Sequence, residues 1–528
     1  MLTRQAEKSH IVSSIELMTQ NTEKTAVSAS QTALSAEGAL TSSMSEGYSS
    51  QFNSQRANKI AANAAVHNGV LAAAVDYEGV RQLRRTFSIE LKQGSITNQK
   101  RSGRCWMFSG LNVCRYEMMK DLNLADLELS ETYLFFWDKM EKANYYLESI
   151  LDTLDEPLSS REWEYVNADL VDDGGWFWGF ANLVNKYGLM PADAYPESAN
   201  SDSSADMVQY VNALLREDAA QLRARHEQGA SLAVLREVKS QMLAAIYRML
   251  SISLGEPPAT FDFVVRTKDD EDKDSQSAES SESSSAADSS AEKSEKDEAD
   301  QDEKSEKDDE KKGFITGKLI VDKNITPLEF FHKYCSVDLN DYVDVADAPH
   351  KEYGKLYELR RSSNMVAGHE IQFANMGMDV IKKALIAQLK AGHPAWFACD
   401  CEPFSLRRMG VFDRKSVNVE ALFDVEYKLD KADRLRFGES MGNHAMTIQG
   451  VDLDENGNPT RWKIENSWGK MVGENGYFVM SDEWFSDFVY DVVLRREFLD
   501  ADTLAVAHSK PVELEPWDPF CKATRCIA

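Results

Sequence analysis

The sequence predicts an α+β protein with one mainly helical lobe and one lobe built mainly of strands. Between residues 206 and 254, apolar residues recur three or four positions apart on both sides of Gly229, as in a helical hairpin. The last third of the chain instead contains short apolar runs separated by Gly, Asp and Asn, which are typical of strands. A cleft between two such lobes is the expected place for a catalytic or binding site.

The individual elements are predicted from local patterns. Ser102 and Gly103 break the chain, and a helix is expected from Cys105 onward. Another helix is expected over residues 370–395. Strands are expected over four short runs, namely residues 394–399, 446–451, 462–466 and 477–480.

Composition and charge exclude several classes of protein. The chain has 528 residues, of which 43% are hydrophobic, enough for two or three domains or one large domain. Its 59 basic and 87 acidic residues give a net charge of −28, which repels polyanions and argues against nucleic acid as a partner. We recognise neither a signal peptide nor an apolar run of about 18 residues, so we expect a protein that is neither secreted nor membrane-spanning. Seven sparse cysteines, an odd number, favour reduced thiols and a cytoplasmic location.

Two segments have compositions that cannot form a core. Residues 1–38 are rich in Ser, Thr, Ala and Gln and contain no aromatic residue, which predicts a mobile N-terminal extension. Residues 267–312 contain 19 acidic residues, 8 lysines and 11 serines, without Val, Leu, Ile, Met or an aromatic residue. This composition predicts an acidic disordered insertion at the surface, and a docking segment for a basic partner is the alternative.

The segment around Cys105 is the densest candidate for chemistry. Cys105 falls in the first turn of the predicted helix, where the positive end of the helix and the neighbouring Arg104 favour a reactive thiolate. A lone cysteine in a helix is more often a small buried apolar residue, and Cys114 fits that interpretation better. The local pattern alone therefore leaves both interpretations of Cys105 open.

Two later segments supply partners for a nucleophilic thiol. His444 begins one strand-like run and Asn466 ends another, so neighbouring strands can bring the two side chains together. A thiol, a histidine base and an asparagine that orients the imidazole form the Cys–His–Asn arrangement of acyl transfer. Gln99, six residues before Cys105, can complete an oxyanion hole with the backbone N–H of Cys105.

These motifs, in this order, resemble those of papain-like cysteine peptidases. They read Gln99-x5-Cys105-Trp, then Asn-His444-Ala-Met, then Glu-Asn466-Ser-Trp468-Gly. The closer resemblance is to the aminopeptidase C and bleomycin hydrolase family, and it runs from about Leu40 to the end of the chain, except for the acidic insertion. Five further blocks support it: residues 171–176, 186–191, 326–331, 337–342 and 516–519.

The resemblance implies a fold and an activity. The fold is papain-like and two-lobed, with the nucleophile helix in a helical lobe and His and Asn in a β-barrel-like lobe. The peptidase body would span residues 39–528, with a helical insertion at about 200–255. The activity is that of an intracellular cysteine aminopeptidase, which removes N-terminal residues from peptides, and bleomycin-type amide hydrolysis is a further activity of the family. Neither a metal nor another cofactor is implied.

Site residues are carried over by position in the motifs. Cys105 would be the nucleophile, His444 the general base and acid, and Asn466 the residue that orients the imidazole. Gln99 would donate to the oxyanion. Four remaining roles follow from the same resemblance: Trp468 as a cover over the His–Asn contact, Gly174 and Gly175 as backbone partners of the substrate, and Ala528 as the partner of the substrate amine. A Gly pair is also common in turns and a Trp is common in cores, so the local patterns leave these roles open.

The resemblance also implies an assembly. The family forms homohexamers whose active sites face an enclosed channel, and an arm at residues 511–528 would reach the cleft so that the carboxylate of Ala528 meets the free α-amine of a peptide. The tail is about four residues longer here than the resemblance implies. A non-catalytic oligomeric chaperone or binding protein with a vestigial cleft is the alternative function. The joint presence of Gln99, Cys105, His444 and Asn466 argues against that alternative.

Other patterns in the sequence are expected to be coincidental. Residues 438–442 spell G-x-S-x-G around Ser440, but a charged segment precedes it and a strand-like run follows it, the reverse of a nucleophile elbow. Cys399 and Cys401 are spaced like half of a thiolate metal site, yet a second pair at ligand spacing is missing. We therefore expect neither a serine nucleophile nor a metal site.

Overall fold

A computed structural model describes residues 38–92, 94–168, 170–268 and 317–522. The chain divides into two compact units, the first ending at Ala73 and the second beginning at Ala74. Nearly all of the predicted N-terminal extension and of the predicted acidic insertion lies outside the described residues, and so does Ala528.

In its described residues, 38–73, the first unit contains three short helices. The side-chain oxygen of Thr41 accepts a hydrogen bond from the backbone N–H of Met44 and caps the first of them. Gly69, with a φ of +87°, separates the second helix from the third. The three helices are α1 (Ser42–Ser54), α2 (Arg56–Asn68) and α3 (Val70–Ala73).

The second unit contains most of the helices. The helices of its N-terminal half are α4 (Tyr77–Gln82), α5 (Cys105–Asp121), α6 (Glu131–Asp152), α7 (Arg161–Val166), α8 (Phe177–Tyr187), α9 (Ala199–Asp202), α10 (Ala205–Glu227) and α11 (Leu232–Leu254). The helices of its C-terminal half are α12 (Pro327–Tyr334), α13 (Met378–Lys390), α14 (Val419–Phe423), α15 (Lys431–Phe437), α16 (Asp482–Phe488), α17 (Ala501–Ala507) and α18 (Pro519–Lys522). Helices α10 and α11 form the hairpin that the spacing around Gly229 predicts, and both pack on α6.

Among the described residues of the second unit, twelve strands form one large sheet, and two others form a separate hairpin. The strands in chain order are β1 (Ile89–Glu90), β2 (Phe261–Arg266), β3 (Leu319–Ile325), β4 (Tyr342–Ala346), β5 (Lys355–Leu359), β6 (Ile371–Asn375), β7 (Ala395–Cys399), β8 (Ser405–Leu406), β9 (Val411–Phe412), β10 (His444–Leu453), β11 (Pro459–Glu465), β12 (Tyr477–Ser481), β13 (Val489–Arg495) and β14 (Val512–Leu514). The large sheet has the order β14-β5-β6-β4-β13-β7-β10-β11-β12-β9-β8, with β1 paired to β10, and β2 pairs with β3 in the hairpin. In the part of the large sheet that the structure describes, three pairings are parallel and the others antiparallel. The parallel ones join β14 with β5, β4 with β6 and β12 with β9.

Side chains on the two faces of the central strands belong to different hydrophobic cores. On β7, Trp396 and Ala398 face the core that contains α5, whereas Ala395 and Phe397 face the core that contains α13. This alternation is the two-residue period of a strand. Because α5 packs directly on β10 and β7, the residues at its N-terminal end lie close to the beginning of β10.

The helix predicted over residues 370–395 is partly wrong. Residues Ile371–Asn375 form strand β6, and the helix is confined to Met378–Lys390. Gly377 lies between the two elements with a φ of +90°. Few residues with a Cβ adopt this backbone conformation, which explains why a glycine occupies the position. Pairing with β5, in which Tyr357 lies opposite Phe373, stabilises the extended conformation over the helical one.

Among the described residues, none of the helices combines the length and the apolar composition that crossing a lipid bilayer requires.

Candidate active site

The thiol of Cys105 lies at the N-terminal end of α5, where this helix packs on β10. Cys105 is the first residue of the helix and is buried, with 1% of its surface exposed. The backbone N–H of Ala445 donates a hydrogen bond to its Sγ atom at 3.4 Å. Because Ala445 directly follows His444, this contact places the thiol beside the beginning of the histidine strand. The positive end of the helix dipole lies at the same point.

Two hydroxyl groups fix the distance between α5 and β10 one turn further along the helix. The Oγ of Ser109 donates to the carbonyl oxygen of Met446 at 2.6 Å. The Oγ1 of Thr447 in turn donates to the carbonyl oxygen of Ser109 at 3.3 Å. These reciprocal bonds hold the helix and the strand in one register, and thus hold Cys105 beside the beginning of β10.

The imidazole of His444 contacts two side chains from the segment after β11. Its Nε2–H donates to the Oδ1 atom of Asn466 at 2.9 Å. The indole ring of Trp468 stacks on the imidazole, with 4.8 Å between ring centroids and 23° between ring planes. His444 and Asn466 are both buried, so their contact is shielded from water. This arrangement fixes both the plane of the imidazole and the nitrogen that carries the proton.

Gln99 connects the asparagine segment with the loop before Cys105. Its backbone N–H donates to the carbonyl oxygen of Ser467 at 2.8 Å, and its Oε1 accepts from the Oγ of the same serine at 2.6 Å. Its Nε2 donates to the carbonyl oxygen of Ser102 at 2.7 Å. The amide of Gln99 is therefore held from both sides, next to the peptide units that lead into α5.

The Gly174–Gly175 pair packs against α5 through Trp106 and borders a cavity that is lined in part by helix α6. The carbonyl oxygen of Gly174 accepts a hydrogen bond from Lys142, while Gly175 lies on the indole ring of Trp106. A Cβ atom at Gly175 would come within 2.5 Å of that ring, so this position has room only for glycine. The cavity is lined by both glycines together with Tyr145, Tyr165 and Asn364.

Comparison with known proteins bears on this arrangement of thiol, imidazole and amide. A family model described as the Peptidase C1-like family matches residues 39–285 and 307–521, which is most of the chain. The chain belongs to the Peptidase C1-like family. The predicted papain-like family and the predicted α+β fold class are thereby confirmed.

Several proteins of known identity are similar to this Peptidase C1-like chain. Aminopeptidase C of Lactobacillus delbrueckii subsp. lactis is 38% identical over 480 residues, which cover 90% of this chain and 96% of that protein. Aminopeptidase C of Streptococcus thermophilus is 38% identical over 460 residues, which cover 87% of this chain and 93% of that protein. A crystal structure of PepW from Lactobacillus rhamnosis HN001 has 36% identity and a TM-score of 0.80, and covers 92% of this chain and 99% of its own.

Arg104 is buried and forms an ion pair in this Peptidase C1-like chain. Its guanidinium forms a bidentate ion pair with Glu197, with both N–O distances at 2.9 Å, and lies 5.1 Å from the ring centroids of Phe108 and Phe135. Burial alone would raise the pKa of Glu197, but the hydrogen bonds and charge of Arg104 lower it. The charge of Arg104 is thus compensated by Glu197, and the pair anchors the loop before Cys105. An effect of Arg104 on the thiol stays a prediction.

Ser440 and the Cys399-x-Cys401 pair occupy structural positions. Ser440 lies in the loop between α15 and β10, and its buried Oγ contacts the carboxylate of Asp400 at 2.6 Å and the hydroxyl of Tyr490 at 2.5 Å. Both cysteines are buried, and burial raises the pKa of the Cys399 thiol well above its usual value. In the part of the chain that the structure describes, no three His, Cys, Asp or Glu side chains are grouped as metal ligands.

The C-terminal segment is described as far as Lys522. Strand β14 pairs in parallel with β5, and the ring of Phe520 packs on Phe373 at 4.3 Å between centroids. Asp518 forms an ion pair with Lys351, and helix α18 contacts α15. The segment is therefore anchored up to Phe520, whereas Ala528, the predicted partner of the substrate amine, lies outside the described residues.

Proposed function

We propose that this protein is a cysteine aminopeptidase, which removes the N-terminal residue of peptides through an acyl-enzyme intermediate on Cys105. The observation that carries this proposal is the hydrogen bond from Ala445 to the Sγ of Cys105, because it joins the thiol to the strand whose first residue, His444, bonds Asn466. Relatives that match over most of their length bear the names Aminopeptidase C, E, G and W.

The chemistry would proceed in two halves. His444 takes the Sγ proton of Cys105, and the thiolate attacks the carbonyl carbon of the first peptide bond. The C–N bond then breaks, the leaving amine takes the proton from His444, and a thioester remains. Water, deprotonated by His444, attacks the thioester, which releases the amino acid and restores the thiol.

The remaining groups would stabilise or orient the reactants. The Gln99 amide and the backbone N–H of Cys105 would donate to the oxyanion of the tetrahedral intermediate. Asn466 would hold the imidazole in one orientation, and Trp468 would keep water from their contact. Gly174 and Gly175 would present backbone to the bound peptide beside the cavity that they border. The role of Ala528 and bleomycin-type amide hydrolysis stay predictions of the resemblance.

The proposal extends to substrates, assembly and location. Its substrates would be peptides with a free N-terminus, and its assembly a homohexamer in the cytoplasm, as the resemblance implies. The net charge of −28 supports the absence of nucleic acid from the partners, since an acidic surface repels phosphate. Sedimentation of the purified protein tests the assembly directly.

Hydrolysis of matched substrates tests the activity. Purified protein is given an aminoacyl 4-nitroanilide and the same compound acetylated at its amine. We expect release of nitroaniline from the free-amine substrate only, and its loss after treatment with iodoacetamide. Cys105→Ser should abolish the reaction while Cys114→Ser, which alters a second buried thiol on the same helix, retains it. Activity in Cys105→Ser, or its absence in the wild type, contradicts the proposal.

A further inference from the structure

A cluster of charged residues, all buried except the partly exposed Asp172, lies between the loop before Cys105 and the Gly174–Gly175 pair. We call it the Asp173 cluster, and its members are Asp138, Lys139, Lys142, Asp172 and Asp173. Lys139 pairs with Asp173 at 2.9 Å, and Lys142 pairs with Asp138 at 3.0 Å. Both lysines also donate to the carbonyl oxygen of Asp172. The acyl-transfer chemistry uses none of these groups, although burying charge is costly unless it is compensated.

Asp173 contacts residues on both sides of Cys105 in the chain, namely Gly103 and Trp106. One carboxylate oxygen, Oδ2, accepts from the backbone N–H of Gly103 at 3.1 Å and also from the hydroxyl of Ser204. Its own carbonyl oxygen accepts from the indole N–H of Trp106 at 2.8 Å. Because Gly174 follows directly in the chain, Asp173 connects the backbone before Cys105 with the glycine pair.

The contact with Gly103 acts on the same peptide unit that Gln99 binds. The N–H of Gly103 and the carbonyl of Ser102 belong to one planar peptide group. Gln99 donates to its carbonyl oxygen at 2.7 Å, and Asp173 accepts from its N–H at 3.1 Å. Rotation of this peptide would break both hydrogen bonds. Each hydrogen bond also polarises the peptide group and thereby strengthens the second hydrogen bond.

We propose that Asp173 is a positioning residue for the oxyanion hole, which orients the Ser102–Gly103 peptide and through it the amide of Gln99. The inference rests on the proposed function, since it assumes that Gln99 donates to an oxyanion. In this role Asp173 acts through the peptide that it holds.

The carboxylate of Asp173 is suited to this role because it stays ionised. Burial alone would raise its pKa, but the charge of Lys139 and the hydrogen bonds from Ser204 and Gly103 lower it to about 2. Charged acceptors form shorter and stronger hydrogen bonds than neutral ones. Lys139 is itself fully buried over the ring of Phe135, so this charge is held in place.

A double-mutant cycle separates positioning from general support of the fold. Asp173→Asn keeps the shape of the side chain and removes its charge. We expect kcat of this variant to fall on the order of tenfold, which is less than the loss caused by removing an oxyanion donor. KM should change by less than about twofold. In a Gln99→Ala background the same substitution should change kcat by less than about twofold, since the group that it positions is absent. Equal losses in both backgrounds, or an unchanged kcat in the single variant, overturn the proposal.

A second measurement does not require turnover. Hydrogen–deuterium exchange of the peptide that contains residues 99–104 should accelerate in Asp173→Asn, because the Gly103 N–H loses its charged acceptor. Unchanged exchange overturns the positioning role. If the wild type hydrolyses no substrate while exchange accelerates, the proposed function fails and the connection between Asp173 and Gly103 stands.

Matched variants control both measurements. Asp218→Asn alters another buried carboxylate, on α10, and should leave kcat, KM and exchange at residues 99–104 unchanged. Ser204→Ala keeps the charge of Asp173 and removes one of its hydrogen bonds, so it should shift kcat and exchange in the same direction as Asp173→Asn but less. An effect of Asp218→Asn equal to that of Asp173→Asn overturns the proposal.

Discussion

Arg115 and Glu465 form a buried ion pair, with 2.7 Å between a guanidinium nitrogen and a carboxylate oxygen, that joins helix α5 to the end of strand β11. Arg115 lies on the helix that begins with Cys105, and Glu465 directly precedes Asn466. The second oxygen of Glu465 accepts from Gln449 at 2.8 Å. The pair therefore holds the asparagine segment in place relative to the nucleophile helix.

Arg115→Met should destabilise the protein strongly. The substitution leaves the carboxylate of Glu465 buried without its cation, a change that typically costs about 3–5 kcal/mol. Glu465→Gln in the Arg115→Met background should recover part of this loss, because it removes the uncompensated charge. Urea unfolding of the two variants checks this prediction, and equal stabilities would show that the charge of Glu465 is not the cause.

Asn466→Ala should lower kcat by roughly 10- to 100-fold while the protein stays folded. The imidazole of His444 would keep its stacking on Trp468 but lose the acceptor that fixes its proton on Nε2. Steady-state kinetics with a free-amine substrate give kcat, and thermal unfolding verifies the fold. A kcat equal to that of the wild type removes Asn466 from the site.

Ser440→Ala should weaken the fold and spare the chemistry. Its hydroxyl donates to the buried carboxylate of Asp400, so its loss should cost on the order of 1–3 kcal/mol of unfolding free energy. Asp400 keeps its hydrogen bond from Asn443, which limits the effect. The kcat per folded molecule should match that of the wild type, and its disappearance would point to a serine nucleophile after all.

A buried acid pair should make stability depend on pH. The carboxyl groups of Asp344 and Asp491 contact each other on the neighbouring strands β4 and β13, and Trp176 donates to Asp344 at 2.9 Å. Burial raises the pKa of both groups, that of Asp344 to about 7. The folded state therefore keeps protons that the unfolded chain releases above about pH 4, so stability falls as pH rises from about 4 to about 7.

Asp491→Asn should remove part of this dependence. The amide has the shape of the carboxyl group, stays neutral, and can donate to Asp344. The variant should be more stable than the wild type at pH 8, by on the order of 1 kcal/mol or more, and the difference should shrink at pH 5. Thermal unfolding at both pH values measures it. A wild type that is equally stable at pH 5 and pH 8 contradicts the raised pKa values of Asp344 and Asp491.

The acidic segment should be replaceable by a short turn. Strands β2 and β3 lead into and out of it, and beyond their last pair the N–H of Thr267 donates to the carbonyl oxygen of Lys318 at 2.9 Å. The two ends are thus close enough for an Asn-Gly turn in place of residues 269–316. Activity and sedimentation should be unchanged. Loss of the assembly would show that the segment takes part in it.

Local sequence patterns predict the candidate residues that lie at the ends of predictable helices and strands. Cys105 follows a helix-breaking pair of residues, and His444 and Asn466 flank strands with strong apolar runs. The sequence alone therefore predicts the helix and strand ends at which these residues lie. The α10–α11 hairpin has the same origin, because its amphipathic period is local.

Long-range pairing explains what the sequence could not predict. Residues 371–375 suit a strand as well as a helix, and only their pairing with β5 decides between the two. Arg104 finds its partner 93 residues later in Glu197. Asp173 precedes a glycine pair that looks like an ordinary turn, and its contact with Gly103 exists only in the folded chain. Each of these contacts joins residues that are far apart in the sequence, so the local sequence pattern does not predict it.

The connection between the two loops that border Cys105 is made of charges and backbone hydrogen bonds, not of sulfur. Asp173 links Gly103 to Lys139 through its carboxylate, and neither contact involves a thiol. Cys105, the proposed nucleophile, would act only as a reduced thiol. A reductant that would open a disulfide at this point leaves an ion pair intact. The Asp173 contacts would therefore persist under the reducing conditions that the proposed nucleophile needs.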